Sequence, residues 1–313
     1  MANPPAPKTT KRRKRLERTD DLPAFQLTAR DISLIDQIYQ LRAATTDQLQ
    51  RLVFPATAGG SLKGRMTHCQ YRLKLLYHHG YVTRDERPTR LSDGRQPLVY
   101  FPDKKGIELL AAQAGVEPNS LDWRPRDNTA KAGHFFLEHL LATNEVRIAL
   151  MLAAQVQGLT LVRWLDDRTL RRSEMKEHVV MPGEGRVAIV PDGFFQVKTK
   201  EGKVFSHFLE ADRRTVVGVS SKSGRRDWAR KVRAFTAFYE SGQYGRRYSA
   251  EQFRVLTVTT GAVRLANLKT ITEEAGGGRR FWFTTYEQLT SKTALSAPIW
   301  SVAGSSDAYA LLG

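Results

Sequence analysis

Cysteine is nearly absent from this chain, and long apolar runs are missing altogether. Its 313 residues include one cysteine, Cys69, which excludes a disulfide-stapled fold and any zinc site built on cysteine pairs. No stretch reaches the roughly 18 apolar residues that a membrane-spanning helix needs. The basic N-terminus has no apolar run behind it, so no secretory signal is expected. We therefore expect a soluble, cytoplasmic protein with no membrane partner.

Acidic residues are the scarcer charge, with 32 Asp and Glu against 49 Lys and Arg, which gives a net charge of +17. The excess is +4 in residues 1–25, +5 in residues 26–115 and +8 in residues 116–313. A basic excess spread over folded regions points to a polyanionic partner, most often nucleic acid. We predict double-stranded DNA as the partner; a homodimer is possible.

Composition shifts divide the chain into four segments. Residues 1–25 are predicted to be a disordered basic arm, either a solvated tail or an arm that lies along DNA phosphates. Residues 26–115 are predicted to be a helix-rich unit, residues 116–130 a linker containing Pro118 and Pro125, and residues 131–313 a second, α/β domain. The expected fold class is α+β.

The first unit combines helices with one hairpin. Apolar spacing and caps predict helices at Ala29–Leu41, about Asp47–Leu52, about Ser61–His79 and Lys104–Ala114. Two short strands, Tyr81–Arg84 and Pro97–Phe101, flank a basic loop. This order is typical of a winged helix-turn-helix, and the segment from Val99 to Gly106 resembles the wing-to-helix junction of many bacterial winged-helix regulators. A winged helix used for protein contacts is the alternative.

The third helix buries one face and leaves a polar one. Cys69 falls on the apolar face, where it is expected to be a core residue. The polar face mixes guanidinium, hydroxyl, imidazole and phenol groups, which can hydrogen-bond to base edges and phosphates. We predict that this helix enters the major groove and that the wing contacts the backbone or the minor groove. The predicted DNA-binding residues are Arg65, Thr67, His68, Tyr71, Arg72, Lys74, Arg87, Arg90 and Arg95.

The second domain follows the predicted order α-β-β-β-α-β-α-β, beginning with a helix from about Ala132 to Gln157. A Pro-Asp at residues 191–192 leaves the predicted strand at residues 187–190, and Glu-x-Asp at residues 210–212 leaves the next strand. This arrangement resembles the PD-(D/E)XK nuclease fold, which implies that Asp192 and Glu210 converge on a divalent cation such as Mg²⁺. Turn formation at Pro191-Asp192-Gly193 is the structural alternative.

Three further residues complete the site that the resemblance implies. Glu138, on the first helix of the domain, matches an acid that some members place there. Asp212 stands where the motif has lysine, so it is expected to be a further metal ligand. Lys231 or Arg230, on the following helix, would supply the positive charge that the motif's lysine provides in other members. The acids could instead pair with basic neighbours, Arg213 and Arg214 in the case of Glu210 and Asp212.

Taken together, the two domains resemble the replication-relaxation family of plasmid and other mobile-element proteins. The resemblance covers about residues 26–260. It rests on the winged helix up to Leu110, His134-Phe135-Phe136, Pro191-Asp192-Gly193, the run from Phe208 to Thr215, Lys231, and Phe238-Tyr239. It implies a DNA-binding protein that acts in replication or its control. A Mg²⁺-dependent endonuclease and a transcriptional repressor with a non-catalytic second domain are the alternatives.

Overall fold

The computed structural model describes residues 16–87, 97–123, 125, 134–213 and 227–312. The chain divides into two compact units, Met1–Leu137 and Glu138–Gly313. Within the described part of the chain, no helix is both long enough and apolar enough to cross a membrane.

Side-chain caps define the helices of the first unit. Helix α1 (Ala29–Leu41) and helix α2 (Thr46–Val53) each begin with a reciprocal capping box, in which the cap hydroxyl and the third helical side chain bond to each other's backbone N–H. Helix α3 (Leu62–His78) begins at the cap Ser61. These bounds confirm the predicted helices to within about two residues.

Three short strands complete the first unit. Strand β1 (Ala44–Thr45) pairs with β3 (Leu98–Pro102), and β3 pairs with β2 (Val82–Glu86), all antiparallel, so the sheet order is β1-β3-β2. Helix α4 (Lys104–Ala114) follows, and Gly115 ends it at φ 66°, in the left-handed region that glycine adopts without strain. Cys69 is fully buried, as predicted.

Residues 1–25 were predicted to form a disordered arm, but part of this segment is ordered. From Leu16 onward the chain packs on the first unit. The Arg18 side chain donates to the carbonyls of Tyr77 and Val82 and pairs with Asp103, and the Phe25 ring lies 4.7 Å from that of His79. Because one guanidinium meets three acceptors, this segment is held in place. Residues 1–15, with the densest basic run, lie outside the described residues.

The second unit is built on one large sheet. Its helices are α5 (His134–Gln157), α6 (Asp167–Leu170), α7 (Trp228–Glu240), α8 (Gln243–Tyr248) and α9 (Ala262–Glu274). Its strands are β4 (Thr160–Asp166), β5 (Glu177–Met181), β6 (Gly185–Ile189), β7 (Gly193–Lys198), β8 (Val204–Ala211), β9 (Arg254–Thr259), β10 (Phe281–Thr285), β11 (Trp300–Val302) and β12 (Ala308–Tyr309).

The seven-stranded sheet has the order β12-β11-β10-β9-β8-β7-β4. Strands β8, β9 and β10 run parallel, and the remaining neighbours are antiparallel. Apolar clusters cover both faces, one that includes α7 and the β5–β6 hairpin and one that includes α5 and the C-terminal strands. Since the parallel strands share a direction, the side chains at their carboxyl ends meet along one edge of the sheet.

Some elements of this unit differ from those expected. Strand β5, the short helices α6 and α8, and strand β12 were not predicted. The polar residues Glu177 and His178 interrupt the apolar pattern by which β5 could be predicted. This strand pairs with β6 in a two-stranded sheet apart from the main one. Helix α8 is held by the buried rings of Tyr244 and Tyr248, contacts that its local sequence does not reveal.

Candidate functional site

Asp192 is fastened at the edge where β7 begins and β8 ends. Its backbone N–H donates to the Leu209 carbonyl at 3.0 Å, and its Oδ2 accepts from the Ala211 N–H at 2.8 Å. Its Oδ1 lies 3.0 Å from Nε2 of His139 on α5. Burial raises the pKa of Asp192, but His139 and Lys231 outweigh burial and hold this pKa below its ordinary value, so the group is an anion at neutral pH.

Glu210, the next-to-last residue of β8, is 3% exposed. Its Oε2 lies 2.5 Å from Nζ of Lys231, whereas its Oε1 is buried without a hydrogen-bond partner among the described residues. Burial, together with the charge of Asp192, raises the pKa of Glu210 to about 8 against the opposing effect of Lys231. A buried carboxylate oxygen with no donor is unfavourable, so this oxygen marks a place for a cation, a proton or a water.

The cation beside Glu210 comes from helix α7. Of the two candidates in the sequence, Lys231 reaches Glu210, while Arg230 turns to Glu184 with Nε 2.5 Å from Oε2. Lys231 also lowers the pKa of Asp192 through its charge. One lysine therefore serves both carboxylates.

His139, on α5, is part of this cluster through its contact with Asp192. Burial lowers its pKa, but the hydrogen bond to Asp192 and the charges of Asp192, Asp167 and Glu210 outweigh burial and raise the pKa above its ordinary value. We call Asp192, Glu210, Lys231 and His139 the carboxylate cluster.

Asp212 and Glu138 take other partners, which departs from the expected four-carboxylate metal site. Asp212 accepts from the Thr259 hydroxyl at 2.7 Å and from Nε and Nη2 of Arg264 at 2.9 and 3.2 Å. Glu138 Oε2 lies 3.2 Å from Nη2 of Arg213. The Arg264 guanidinium binds both oxygens of Asp212. This arginine, 52 residues downstream, was not foreseen from the sequence.

No group of three or more His, Cys, Asp or Glu side chains within the described ranges is placed to hold a metal ion. The two carboxylates of the cluster are what remains of the expected ligand set. Mg²⁺ is often bound by one or two carboxylates, with substrate phosphates and water completing its shell, so Asp192 and Glu210 fit the donor chemistry of that ion.

In the first unit, the N-terminal half of α3 presents a polar surface. Lys63, Thr67, His68 and Tyr71 are exposed, and they line a shallow hollow together with Ser61 and Gly64. The Tyr71 side chain is 54% exposed. Lys63 was not among the predicted residues. It lies one helical turn before Thr67, and its carbonyl accepts a hydrogen bond from the Thr67 hydroxyl at 2.9 Å.

The other predicted DNA-binding residues are placed differently. Lys74 is exposed, and Arg65 is half-buried with Nη1 donating to the Gly60 carbonyl at 2.5 Å. Arg72 is turned into the unit: its Nε donates to Asp31 at 2.8 Å and its Nη2 to the Gln26 carbonyl at 3.0 Å. Arg87 is half-buried just after β2. Arg90 and Arg95 lie outside the described residues.

Comparison with known proteins gives one family. The family model described as replication-relaxation matches residues 35–251, which spans parts of both units. Neither the curated proteins nor the solved structures gave a match. Because the matched segment covers more than half of the chain, this protein belongs to the replication-relaxation family.

Proposed function

We propose that this protein binds duplex DNA through a winged helix formed by its first unit. Family membership points to a role in the replication of a plasmid or other mobile element. The element order α1-β1-α2-α3-β2-β3 with sheet order β1-β3-β2 agrees with a winged helix-turn-helix, in which the helix that follows the turn enters the major groove. Helix α3 has that position.

The observation that carries the proposal is the exposed start of α3. Lys63 can contact a phosphate, and Thr67, His68 and Tyr71 offer hydrogen-bonding groups that reach base edges or the backbone. Tyr71 in addition offers an exposed apolar ring. Such a surface combines charge for affinity with varied donors and acceptors for sequence reading.

Two double variants test this role with equal change of charge. Lys63→Ala with Lys74→Ala removes two exposed cations of α3, and Lys104→Ala with Lys105→Ala removes two exposed cations of α4. We expect the α3 variant to bind duplex DNA about tenfold more weakly, with a log–log salt slope lower by about 1.8, since each phosphate contact contributes about 0.9. Equal effects in the two variants would contradict the proposal.

The carboxylate cluster favours a second function, Mg²⁺-dependent phosphodiester cleavage. The sheet with β4, β7 and β8 antiparallel and β9 parallel to β8, between α5 and α7, agrees with a PD-(D/E)XK-like domain. Asp192 and the partnerless Oε1 of Glu210 would hold the ion, and Lys231 would stabilise negative charge beside it. Bound Mg²⁺ supplies polarisation of a phosphodiester and a water of lowered pKa. His139 keeps Asp192 oriented through its Oδ1.

Cleavage of supercoiled plasmid with Mg²⁺ or Mn²⁺ tests this second function. We expect nicking by the wild type and none by Asp192→Ala or Glu210→Ala, whereas Asp212→Asn should retain nicking if folded, because Arg264 and Thr259 already occupy Asp212. DNA binding without nicking in the wild type would exclude this function and leave a non-catalytic second unit, as in a repressor or replication-control protein.

A further inference from the structure

Three cations and three aromatic rings form a row across the second unit, at the opposite end of the parallel strands from the carboxylate cluster. Nζ of Lys203 lies 4.8 Å from the Phe205 ring centre, and Cζ of Arg254 lies 5.6 Å from the same ring and 4.3 Å from that of Trp282. The Trp282 and Tyr309 ring centres are 5.9 Å apart, and Cζ of Arg279 lies 5.8 Å from the Tyr309 ring centre. We call these six residues the cation–aromatic ladder.

The backbone register explains why these side chains meet. Arg254 begins β9 and pairs with His207 of β8, so its side chain lies on the same face of the sheet as Phe205. Trp282 pairs with Leu256 of β9, two residues beyond Arg254. Because side chains two residues apart along a strand share a face, Phe205, Arg254 and Trp282 form one row across three parallel strands.

Hydrogen bonds fix the cations in this row. Arg254 Nη1 donates to the Leu311 carbonyl at 2.5 Å, Arg279 Nη2 donates to the Tyr309 hydroxyl at 3.0 Å, and the Trp282 indole N–H donates to the Arg279 carbonyl at 2.8 Å. The guanidiniums are thus held in place before any ligand binds, which reduces the entropic cost of binding.

The cations of the ladder have no acidic partner among the residues that the structure describes. Within the described part of the chain, Lys203, Arg254 and Arg279 form no ion pair, in contrast to Arg72, Arg213 and Arg264. Lys203 and Arg279 are exposed, as are Lys198 at the end of β7 and Lys200 in the β7–β8 turn, with Glu201 the one acid among residues 198–203. Burial lowers the pKa of Arg254, in keeping with a charge that lacks a partner. Cations without acidic partners among the described residues, two of them held by hydrogen bonds, attract an anion with repeated charges.

We propose that the cation–aromatic ladder is a second DNA-binding surface, which contacts successive phosphates of a DNA backbone. This proposal rests on the proposed function because it takes DNA as the partner. The ladder itself lies on the second unit and includes none of the residues of α3. Strand β8 rises about 3.3 Å per residue, so Lys203 lies roughly 23 Å along it from Glu210, and the ladder is distinct from the carboxylate cluster. Half-buried Phe205 and Tyr309 add rings at which an unpaired base can stack, as in proteins that bind single strands.

Charge reversal at the two exposed ends of the ladder tests the proposal in the full-length chain. Lys203→Glu with Arg279→Glu is compared with Lys176→Glu with Arg186→Glu, which changes the net charge equally at exposed residues of the β5–β6 region. Binding of a labelled single strand and of a labelled duplex is measured by fluorescence anisotropy over a series of salt concentrations, and thermal unfolding verifies that both variants are folded.

We expect the ladder variant to bind at least one of the two DNA forms about tenfold more weakly than the control variant. Its log–log salt slope should fall by about 1.4 on the single strand or about 1.8 on the duplex, for two lost phosphate contacts. The form that shows the larger loss identifies the strand state that the ladder binds. Arg254→Lys, which keeps the charge but loses the planar guanidinium, should weaken binding less than the reversal.

The outcomes separate this proposal from the role of α3. If the α3 variant weakens DNA binding while the ladder variant equals its control, the ladder proposal is overturned and the winged-helix proposal stands. If the ladder variant alone loses affinity, DNA enters through the second unit and the role of α3 fails. A wild-type chain that binds neither form of DNA overturns both.

Discussion

Each unit holds a buried carboxylate against a basic side chain, and the two pairs are satisfied to different degrees. Asp31 in the first unit is fully buried and accepts bonds from Arg72, from the Thr28 N–H and from the Thr28 hydroxyl. Glu210 in the second unit has Lys231 on one oxygen and no partner for the other.

The pKa shifts of the two acids follow this difference. Burial raises the pKa of Asp31, but Arg72 and Thr28 outweigh burial and leave the pKa lowered, whereas the pKa of Glu210 is raised to about 8. A fully bonded charge stabilises the fold in which it sits, while a half-bonded one costs stability and is expected where a ligand completes it. The first pair is therefore structural, and the second is the better functional candidate.

The largest expected effect comes from breaking the satisfied pair. Arg72→Met leaves Asp31 buried without its cation, so we expect a loss of about 4 kcal/mol in the free energy of unfolding of the first unit, measured by urea denaturation. Arg65→Met, which removes only a bond to the Gly60 carbonyl, is the control and should cost about 1 kcal/mol. A loss below about 1 kcal/mol for Arg72→Met would show that the pair is not structural.

Neutralising Glu210, the carboxylate with one unbonded oxygen, should instead raise the free energy of unfolding. Because the pKa of Glu210 is raised from 4.5 to about 8, its contribution to stability is complete below about pH 4.5 and is lost as the pH rises through 8. Glu210→Gln mimics the neutral acid, so we expect it to be more stable than the wild type by about 3 kcal/mol at pH 8 and equally stable at pH 4. Unfolding curves at both pH values measure this, and a destabilised variant at pH 8 would contradict it.

A buried base extends the comparison to acidic pH. His207 is fully buried with neither ring nitrogen hydrogen-bonded within the described residues, and burial, together with the charge of Arg254, lowers its pKa to about 3. Below pH 6.5 His207 is protonated in the unfolded chain but not in the folded one, so the free energy of unfolding falls as the pH falls. His207→Phe should remove about 2 kcal/mol of the loss between pH 6.5 and pH 5; an unchanged pH profile would show that His207 is protonated in the fold.

The smallest change concerns one hydrogen bond within the satisfied pair. Thr28→Ala removes the hydroxyl that caps α1 and bonds to Asp31, and we expect a loss of about 1 kcal/mol in the free energy of unfolding. Thr28→Ser keeps the hydroxyl and should lose much less. If both substitutions cost the same, the methyl group of Thr28, and not its bond to Asp31, stabilises this region.

Local patterns in the sequence determine much of the secondary structure. Helices α1 and α4 were predicted with the bounds that the structure gives, because a capping side chain marks the start of each. The order of the four helices and two hairpin strands of the first unit, though not strand β1, and the family were predicted as well. Asp192 and Glu210 were expected to leave two neighbouring strands; in the structure Asp192 precedes β7, and Glu210 is the next-to-last residue of β8.

Tertiary structure alone decided which charges meet. Asp192, Glu210 and Asp212 look alike in the sequence, yet Arg264 and Thr259 occupy Asp212, and Lys231 and His139 join the other two acids. The same holds for Arg72, which lies in a polar stretch of α3 but is bound to Asp31. The cation–aromatic ladder brings together residues from 203 to 309. Side-chain partners depend on strand register and on helix packing, and those follow from contacts between distant segments that local composition does not encode.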